Sequence, residues 1–460
     1  MKILIFIETD VVVRHFIFSK AFEKINKNHD VVYIFPDGDK RLGSIKSYEL
    51  NLDGCRRIRL DPCIERLKLW RIRFFVEKLR DKRDVSQSLI KQWRKDFRSG
   101  NSLYALIIYR FLGLPFIFKV FTKIVNLFIS RTPNIFMKEI LHREKPDLII
   151  HPSVLEGNYI DDVIFYGNQF KKPVIVIMNS WDNPLTKRSV VNKDYFLLVW
   201  GKQTENHAIQ YMGLRKEKVI KFGSAQFDIY NFDKSNKSKY FKNQYKFDLN
   251  TKTLLYAGSS KNSDEFSHLL LIDNAINSGL LPKINIIYRP HPWGKCGYKG
   301  ERFKHYKFDN VIYDLKMKDY IFRDFNKDNS KYLPDLESTK YLLDNVDMVI
   351  SPLSTILLEA MILGKVPLCL MTEDEDQAEH FHMVKRSPHF SEILSNKNVI
   401  VLNSKDGLIN GIKKAHEKSN IEEIKIKLKK QSEFFISKFS KPFNIRLLKL
   451  VQEIYLEEIY

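Results

Sequence analysis

Two short motifs in the second half of the sequence combine side chains that bind anions. In the first, Tyr-Arg-Pro-His-Pro, Arg289 and His291 follow the apolar residues 284–288. A guanidinium grips phosphate through paired N–H groups, and an imidazole N–H donates to a phosphate oxygen. Prolines on both sides of His291 also restrict the backbone there. We therefore predict that Arg289 and His291 bind a phosphate group at the end of a strand.

The second motif is a Ser/Thr-rich loop that leads into an apolar helix. Ser351, Ser354 and Thr355 follow a buried-type run, and the helix is predicted to end at Gly364. Ser354 or Thr355 is the expected N-cap, and hydroxyl and free N–H groups at a helix start bind phosphate. Glu359, one turn into the helix, is expected to accept hydrogen bonds from ribose or sugar hydroxyls. The alternative is an ordinary capped helix.

A third loop of small residues supports the same interpretation. Gly258, Ser259 and Ser260 follow the apolar residues 253–257. A loop without bulky side chains lets its backbone approach a phosphate closely. Three such loops in one half of the chain predict a site for a nucleotide monophosphate or diphosphate.

Carboxylates near strand ends in the first half of the chain are candidates for a general base, which would take a proton from an acceptor hydroxyl. The candidates are Glu8, Asp10, Glu156, Asp161, Asp162 and Asp182. We favour Glu156, Asp182 and Asp10 as catalytic residues. Each of them alone is more typical of a solvated loop or a helix cap, and the pattern does not choose among them.

The elements that must position these loops are short apolar runs alternating with helical stretches. The predicted strands lie at residues 1–7, 30–35, 146–151, 172–178, 195–200, 219–222, 253–257, 284–288, 347–350, 366–370 and 398–402. Such a series predicts parallel α/β sheets, which bind ligands at the carboxyl ends of their strands. The first strand is not followed by Gly-x-Gly-x-x-Gly, which argues against a dinucleotide cofactor.

Composition shifts divide the chain of 460 residues into parts. We predict an N-terminal domain at 1–231 that contains a helical basic insertion at 64–145. A Lys/Asn-rich linker at 232–250 precedes a C-terminal domain at 251–425. Residues 426–460 are predicted to form a helical tail that packs back on the N-terminal domain.

The charge balance is strongly basic, with a net charge of +21. The insertion holds 19 basic and 7 acidic residues, so more than half of the excess lies there. It is predicted either to dock on anionic lipid or to be a solvated insertion with core aromatics. Its most apolar run, 103–121, is broken by Arg110 and Lys119, which argues against a spanning helix. The sequence lacks the motifs of nucleic-acid binding modules.

Three segments resemble bacterial surface-polysaccharide glycosyltransferases of GT-B architecture. They are YRPHP at 288–292, SPLSTILLEA at 351–360, and VWGKQTENHAIQYMGLRKEKVIKFGSAQFD at 199–228. The last is similar to a tract of capsule transferases and CDP-glycerol glycerophosphotransferases. The first two are similar to the donor motifs of sialyl-, polysialyl- and Kdo-transferases, which use CMP-activated acidic sugars. In those enzymes the His and the Ser/Thr pair hold the nucleotide phosphate, a role that falls here on His291, Ser354 and Thr355.

The resemblance, which covers about residues 146–370, implies a fold and a reaction. The implied fold is α/β and GT-B-like, with two Rossmann-type domains facing across a cleft. CMP-sugar enzymes carry an acidic pair before a glycine, and the nearest match is Leu155-Glu156-Gly157, with one acid. The implied reaction is inverting glycosyl transfer without a metal or other cofactor.

The leading hypothesis is transfer of a sugar from a nucleotide-sugar donor, best a CMP-linked acidic sugar, to a surface polysaccharide or lipid-linked glycan. Alternatives are glycerophosphotransfer from CDP-glycerol, and transfer or epimerisation of a UDP-sugar. Four cysteines without metal-ligand spacing and a first strand at Met1 favour a cytoplasmic protein. We expect it to be peripheral on the inner face of the bacterial cytoplasmic membrane, and we expect no nucleic-acid partner.

Overall fold

The computed structural model describes residues 1–36, 45–81, 103–187, 189–232, 238–248, 250–258, 263–291, 300–322, 335–372, 385 and 387–457. The chain forms two compact units. Unit 1 consists of Met1–Ala225 and Phe439–Tyr460, and unit 2 consists of Gln226–Lys438. Each unit is built on its own parallel sheet.

Unit 1 contains a seven-stranded sheet in the order β3-β2-β1-β4-β5-β6-β7. Its strands are β1 Lys2–Phe6, β2 Asp30–Pro36, β3 Arg56–Leu60, β4 Leu148–Ser153, β5 Val174–Met178, β6 Phe196–Val199 and β7 Val219–Lys221. Most are continuous apolar runs, as expected for strands covered by helices on both faces. The edge strand β3 has the sequence Arg-Arg-Ile-Arg-Leu with exposed arginines, so its pattern does not reveal a strand.

Unit 2 contains a six-stranded sheet in the order β10-β9-β8-β11-β12-β13. Its strands are β8 Thr253–Ala257, β9 Asn285–Arg289, β10 Val311–Tyr313, β11 Met348–Ser351, β12 Val366–Leu370 and β13 Ile400–Leu402. The short edge strand β10 is also absent from the sequence prediction. Counted from the start of each unit, both sheets begin in the Rossmann order 3-2-1-4-5-6. The predicted α/β class with two Rossmann-like sheets is therefore confirmed.

Helices connect the strands throughout the described residues. They are α1 Asp10–Val12, α2 Glu23–Asn28, α3 Ile64–Arg80, α4 Leu103–Leu112, α5 Pro115–Arg131, α6 Ile135–Glu144, α7 Ile160–Gln169, α8 Asn183–Thr186, α9 Lys202–His207, α10 Asp228–Phe232, α11 Ser238–Gln244, α12 Glu265–Asn277, α13 Gly300–Lys304, α14 Lys318–Phe322, α15 Leu336–Asp344, α16 Ile356–Ile362, α17 Pro388–Leu394, α18 Leu408–Ser419, α19 Glu422–Phe435 and α20 Phe443–Glu457. Val13–Ile17 and Ala208–Met212 are π-helical, and Ser47–Glu49, Lys216–Lys218 and Ala225–Phe227 are 3-10 turns.

The C-terminal helix α20 completes the core of unit 1. Its buried residues recur every three or four positions and are Phe443, Leu447, Val451 and Ile454. Phe443 meets the ring of Phe222 at right angles, with 5.0 Å between the centroids. Only part of the predicted tail behaves in this way, because α19 belongs to unit 2.

The predicted linker contains structure that belongs to unit 2. Helix α11 lies within it, and Phe241 and Tyr245 are buried in the core of that unit. Unit 2 begins at Gln226, before the predicted boundary. Lys and Asn dominate the composition of this segment, but a few aromatic residues at helical spacing are enough to bury one of its faces.

The helical insertion is fastened to unit 1 by a buried ion pair. Arg66 of α3 donates from Nε to Asp162 of α7 at 2.8 Å, and both side chains are buried. Trp70 donates to the same carboxylate at 2.8 Å, and Asn134 donates to its other oxygen at 2.9 Å. Arg66 also donates to the Thr132 carbonyl, at 2.8 Å. The carboxylate thus accepts three donors from Arg66, Trp70 and Asn134 in the interior of unit 1.

Asp161, beside this ion pair, carries a pH-dependent cost to folding. Burial raises its pKa to about 7, while its carboxylate accepts the Val191 N–H at 2.9 Å. An unfolded Asp titrates near pH 4, so the folded chain binds more protons between about pH 4 and about pH 7. The free energy of unfolding should therefore fall as pH rises through that window.

We expect Asp161→Asn to remove this pH dependence. Urea denaturation at about pH 5 and about pH 8 measures the free energy of unfolding. Between these values it should fall by on the order of a few kcal/mol in the wild type and stay constant in the variant. The Asn oxygen can still accept the Val191 N–H. Parallel pH profiles for the two proteins would contradict the assignment.

One test of the described helices concerns membrane spans. No single helix within the described ranges is both long and apolar enough to cross a bilayer. The helical segments Leu106–Leu112 and Pro115–Arg131 together have the length and composition of a membrane span, but the chain bends by 99° between them.

Candidate functional site

The carboxyl ends of three neighbouring strands meet at one edge of the unit 2 sheet. The register pairs Ala257 of β8 with Arg289 of β9, and Tyr256 of β8 with Ile350 of β11. Three loops therefore begin at the same level, on strands about 4.8 Å apart. The strand order reverses between β8 and β11, and α/β sheets bind ligands at such a switch point.

The loop after β11 supplies hydroxyl groups at this edge. Ser351 is fully buried, and its Oγ has no hydrogen-bond partner among the described residues. Ser354 and Thr355 are half-buried, and helix α16 begins directly after Thr355. Thr355 is therefore the N-cap residue, but its hydroxyl makes no capping hydrogen bond within the described part of the chain. Capping does not account for these hydroxyl groups.

The loop after β9 places His291 two residues beyond the strand, half-buried at the same edge. Arg289 behaves differently from the prediction. Its Nε lies 3.4 Å from the Asp314 carboxylate, and its Nη2 donates to Thr339 Oγ1 at 3.0 Å. The guanidinium is buried in these contacts, so the prediction that it grips a phosphate is revised to a structural ion pair.

The glycine of the loop after β8 packs against protein atoms. The Gly258 N–H donates to the Arg289 carbonyl at 2.8 Å, so this N–H is already used. A Cβ at position 258 would lie 2.6 Å from the Glu265 carboxylate. A larger side chain there would displace this buried acid, so the small size of Gly258 serves packing against Glu265 rather than the predicted phosphate contact. Ser259 and Ser260 lie outside the described residues.

Glu265 is a buried acid that the sequence analysis missed. Its Oε2 accepts a hydrogen bond from the Tyr288 hydroxyl, with 2.5 Å between the two oxygens, and its carboxylate lies under the β8 loop. Since β8 lies between β9 and β11, the β8 loop over Glu265 separates the loops that carry His291 and Ser354.

Glu359 lies one turn into α16, as predicted. Its carboxylate accepts a hydrogen bond from the hydroxyl of Tyr230 in α10. This contact orients the Glu359 carboxylate toward α10. Its predicted role toward ribose or sugar hydroxyls remains a prediction.

Unit 1 has a comparable edge, at which a buried acid follows β1. Glu8 is 3% exposed, and its Oε1 accepts the Asn158 N–H at 2.6 Å. A Cβ at position 157 would lie 2.2 Å from Glu8 Oε2, so a larger residue there would displace the buried carboxylate. Because β1 and β4 are neighbours, these residues flank the switch point of the unit 1 sheet.

His151 of β4 lies against the same carboxylate. Its Nε2 is 3.9 Å from Glu8 Oε2, and its Nδ1 is 3.0 Å from the Pro152 carbonyl. Burial lowers the pKa of His151 to about 4, so the ring is neutral near pH 7. The carbonyl contact puts the proton on Nδ1, and Nε2 then faces the acid with a lone pair.

A second neutral histidine joins the loops after β1 and β5. His15, in the π-helical turn, donates from Nδ1 to Asn179 Oδ1 at 2.8 Å. Burial, together with the Arg14 charge, lowers the pKa of His15 to about 3. A π-helical turn is uncommon and often marks functional positions. The structure therefore brings Glu8, His15 and Asn179 to the ends of β1 and β5, which flank β4.

The three acids favoured from sequence have different surroundings. Glu156 is about 51% exposed and lies 3.6 Å from Lys187 Nζ. Asp10 is buried and accepts the N–H of Val11 at 2.8 Å. Asp182 precedes α8 and accepts the Thr186 hydroxyl at 2.6 Å. Each carboxylate already accepts a local donor or faces a lysine, and their catalytic role remains a prediction.

No protein-family model matches the chain, and no curated protein sequence matches it. Solved structures do match. The UDP-N-acetylglucosamine 2-epimerase of Rickettsia bellii is 12% identical, with 99% of this chain and 97% of that chain covered and a TM-score of 0.51. A glycosyltransferase of Rickettsia africae is 12% identical, with 100% and 98% covered and a TM-score of 0.51. The wall teichoic acid polymerase TagF is 9% identical, with 100% and 90% covered and a TM-score of 0.50.

At such low identities the likeness establishes the fold alone. It extends over the full length of the chain, so it covers both parallel sheets. The strand orders agree with it, since each unit reverses direction after its first three strands. The chain therefore has a GT-B-like fold made of two Rossmann-like units.

Proposed function

We propose that this chain is an inverting glycosyltransferase that uses a nucleotide-sugar donor. The observation that carries the proposal is the unit 2 edge, where His291 follows β9 and the Ser351, Ser354 and Thr355 hydroxyls lie at the end of β11, on either side of β8 at the switch point. Hydroxyl and imidazole N–H groups can stabilise the charge that develops on a leaving phosphate. The GT-B-like fold agrees with this chemistry.

In the proposed reaction an acceptor hydroxyl oxygen bonds to the anomeric carbon of the sugar. The bond from that carbon to the nucleotide phosphate breaks, and the phosphate takes the electron pair. The hydroxyl proton goes to a carboxylate. Donor binding is assigned to unit 2, and proton removal is assigned to unit 1.

Glu8 is the carboxylate that the structure favours for proton removal. It follows a central strand at the switch point, while Glu156 is exposed and faces Lys187. Asn158 holds one oxygen of Glu8, and neutral His151 lies beside the other. A general base removes a proton efficiently only when its carboxylate is held within hydrogen-bond reach of the acceptor hydroxyl.

The donor is proposed to carry CMP and an acidic sugar, such as Kdo or a sialic-acid-like sugar. His291 with the Ser354–Thr355 pair is the feature that supports this choice. The acceptor is proposed to be a surface polysaccharide or a lipid-linked glycan. CDP-glycerol transfer and UDP-sugar transfer remain alternatives. Epimerisation of a UDP-sugar is a second candidate, favoured by the fold likeness to the Rickettsia bellii enzyme.

Thermal-shift measurements with CMP, CDP, UMP, UDP and GDP test the donor site. Nucleotides with one of the three nucleobases should raise the melting temperature of the wild type. His291→Ala should weaken binding of that nucleotide by about tenfold or more, because it removes a hydrogen bond to a charged group. His305→Ala is the matched control, since His305 is exposed at the end of α13. Equal affinities in the two variants would contradict the assignment of His291.

Product analysis with a panel of nucleotide sugars separates the candidate reactions. A transferase releases nucleotide only when the acceptor is present. An epimerase converts the UDP-sugar without any acceptor. A glycerophosphotransferase turns over CDP-glycerol and none of the nucleotide sugars. A chain that binds no nucleotide and turns over no donor would overturn the proposed function.

A further inference from the structure

Helices α4 and α5 of the insertion expose an unusual amount of apolar surface. The exposed residues, which we call the outer face, are Ile107, Ile108, Phe111, Leu114, Phe116, Val120, Ile124, Leu127 and Phe128. Their exposed fractions run from 44% to 78%, with Phe116 the highest. Scattered apolar residues are normal on a protein surface, but a contiguous patch marks an interaction site.

Helix α5 is apolar on two sides. Phe121, Val125 and Ile129 recur every four residues and are buried against Trp70 and Phe74. A second stripe at Phe116, Val120, Ile124 and Leu127 recurs at spacings of four, four and three, and is exposed. The inner stripe accounts for packing in unit 1. The outer stripe has no such role, since a surface helix normally presents polar residues there.

The formal charges along α4, α5 and the first residues of α6 are all of one sign. Between residues 103 and 138 the chain carries no acidic residue and five basic ones. The basic residues are Arg110, Lys119, Lys123, Arg131 and Lys138. An apolar helix face flanked by Lys and Arg is the pattern of helices that lie in a membrane interface. Basic residues next to it attract anionic headgroups.

The outer face is held in place from behind. Arg66 donates to the carbonyls of Ile129 and Thr132 at the end of α5, while Asp162 neutralises its charge. Helix α5 therefore cannot leave unit 1 without breaking the hydrogen bonds from the buried Arg66 guanidinium and exposing its inner stripe. This attachment favours a helix that lies on a surface over one that inserts across it.

We propose that the outer face docks on a bilayer that contains anionic lipid. The apolar side chains enter the headgroup boundary, and Lys119, Lys123 and Arg131 contact lipid phosphates. A second copy of this chain is a poorer occupant, because two faces without acidic residues would bring like charges together. This inference does not depend on which sugar or nucleotide the chain uses.

Cosedimentation with vesicles tests the inference on the full chain. The probes are phosphatidylglycerol-containing vesicles and pure phosphatidylcholine vesicles. We expect binding to the former, a weaker interaction with the latter, and release by high salt. Binding that is equal for both vesicle types and insensitive to salt would overturn the role of charge. No binding to either type would overturn the proposal.

Paired variants separate the apolar from the basic contribution. Phe116→Gln with Leu127→Gln should lower partitioning to anionic vesicles by about tenfold or more. Lys119→Gln with Lys123→Gln should also lower it by about tenfold or more. Matched controls in unit 2 are Ile426→Gln, and Lys413→Gln with Lys414→Gln; all three positions are exposed. The controls should bind like the wild type, and losses equal to those of the outer-face variants would overturn the proposal.

Two further measurements test whether loss of vesicle binding comes from unfolding or from self-association. The melting temperatures of all variants should match the wild type, because the changed side chains are exposed. Light scattering without vesicles reports the oligomeric state. A dimer that Phe116→Gln with Leu127→Gln converts to a monomer, together with no vesicle binding, would assign the face to a second copy and overturn the lipid proposal.

Discussion

Glu8→Gln is expected to lower the turnover of the donor nucleotide sugar by about 100-fold to 10,000-fold, the usual contribution of a general base. The amide keeps an oxygen for the Asn158 N–H but does not take up a proton at neutral pH. Nucleotide binding to unit 2 should be unchanged, because no residue of that unit is altered. Steady-state kinetics with the donor identified by the panel, together with a thermal shift, provide both readouts.

Glu156→Gln is the matched control for Glu8→Gln. Its carboxylate is exposed and paired with Lys187, so the variant should keep activity to within a few-fold. In a pH profile, the acidic limb of the turnover rate should disappear in Glu8→Gln only. The reverse outcome, in which Glu156→Gln loses activity and Glu8→Gln keeps it, would return the base to the acid favoured from sequence.

Asp162→Ala is expected to lower the free energy of unfolding of unit 1 by about 3–5 kcal/mol, the cost of leaving a buried charge unpaired. Arg66 would lose the carboxylate 2.8 Å from its Nε, and Trp70 and Asn134 would lose their acceptor. The measurement is urea denaturation followed by the fluorescence of the five tryptophans, which include Trp70 beside the ion pair.

An exposed ion pair provides the comparison for Asp162→Ala. Glu422→Ala removes the partner of Lys425, which lies 2.9 Å away on the surface of α19, and should leave the free energy of unfolding nearly unchanged because solvent screens the pair. Replacing both buried partners, with Arg66→Met and Asp162→Leu, should recover much of the loss. A cost for Asp162→Ala no larger than that of Glu422→Ala would mean that the buried pair contributes little to holding the insertion.

The predicted strands were largely found because parallel strands buried on both faces read as apolar runs. The run at residues 1–7 became β1, and the run at 366–370 became β12 without change. The two strands missed, β3 and β10, lie at sheet edges, where one side meets solvent and the apolar signal weakens. Local composition also misled at 232–250, because Phe241 and Tyr245 bury one helix face among many lysines.

Site residues were predicted less well than strands, because their roles depend on partners far along the chain. Arg289 has the right type and place for a phosphate ligand, but Asp314 and Thr339 already hold it. Gly258 looked like a phosphate loop, and its small size instead accommodates Glu265. The motif Leu155-Glu156-Gly157 pointed to its acid, whereas its glycine is the residue that packs against Glu8.

The sequence by itself determined the α/β class, the strand series, the loops that follow β8, β9 and β11, and the basic apolar character of the insertion. These properties depend on residue type and spacing within a few positions. Only the tertiary structure decided which carboxylate is buried at a switch point, which guanidinium is already paired, and which stripe of α5 remains uncovered. Burial and charge pairing are set by residues distant in sequence, such as Arg66 and Asp162, and short-range patterns carry no record of them.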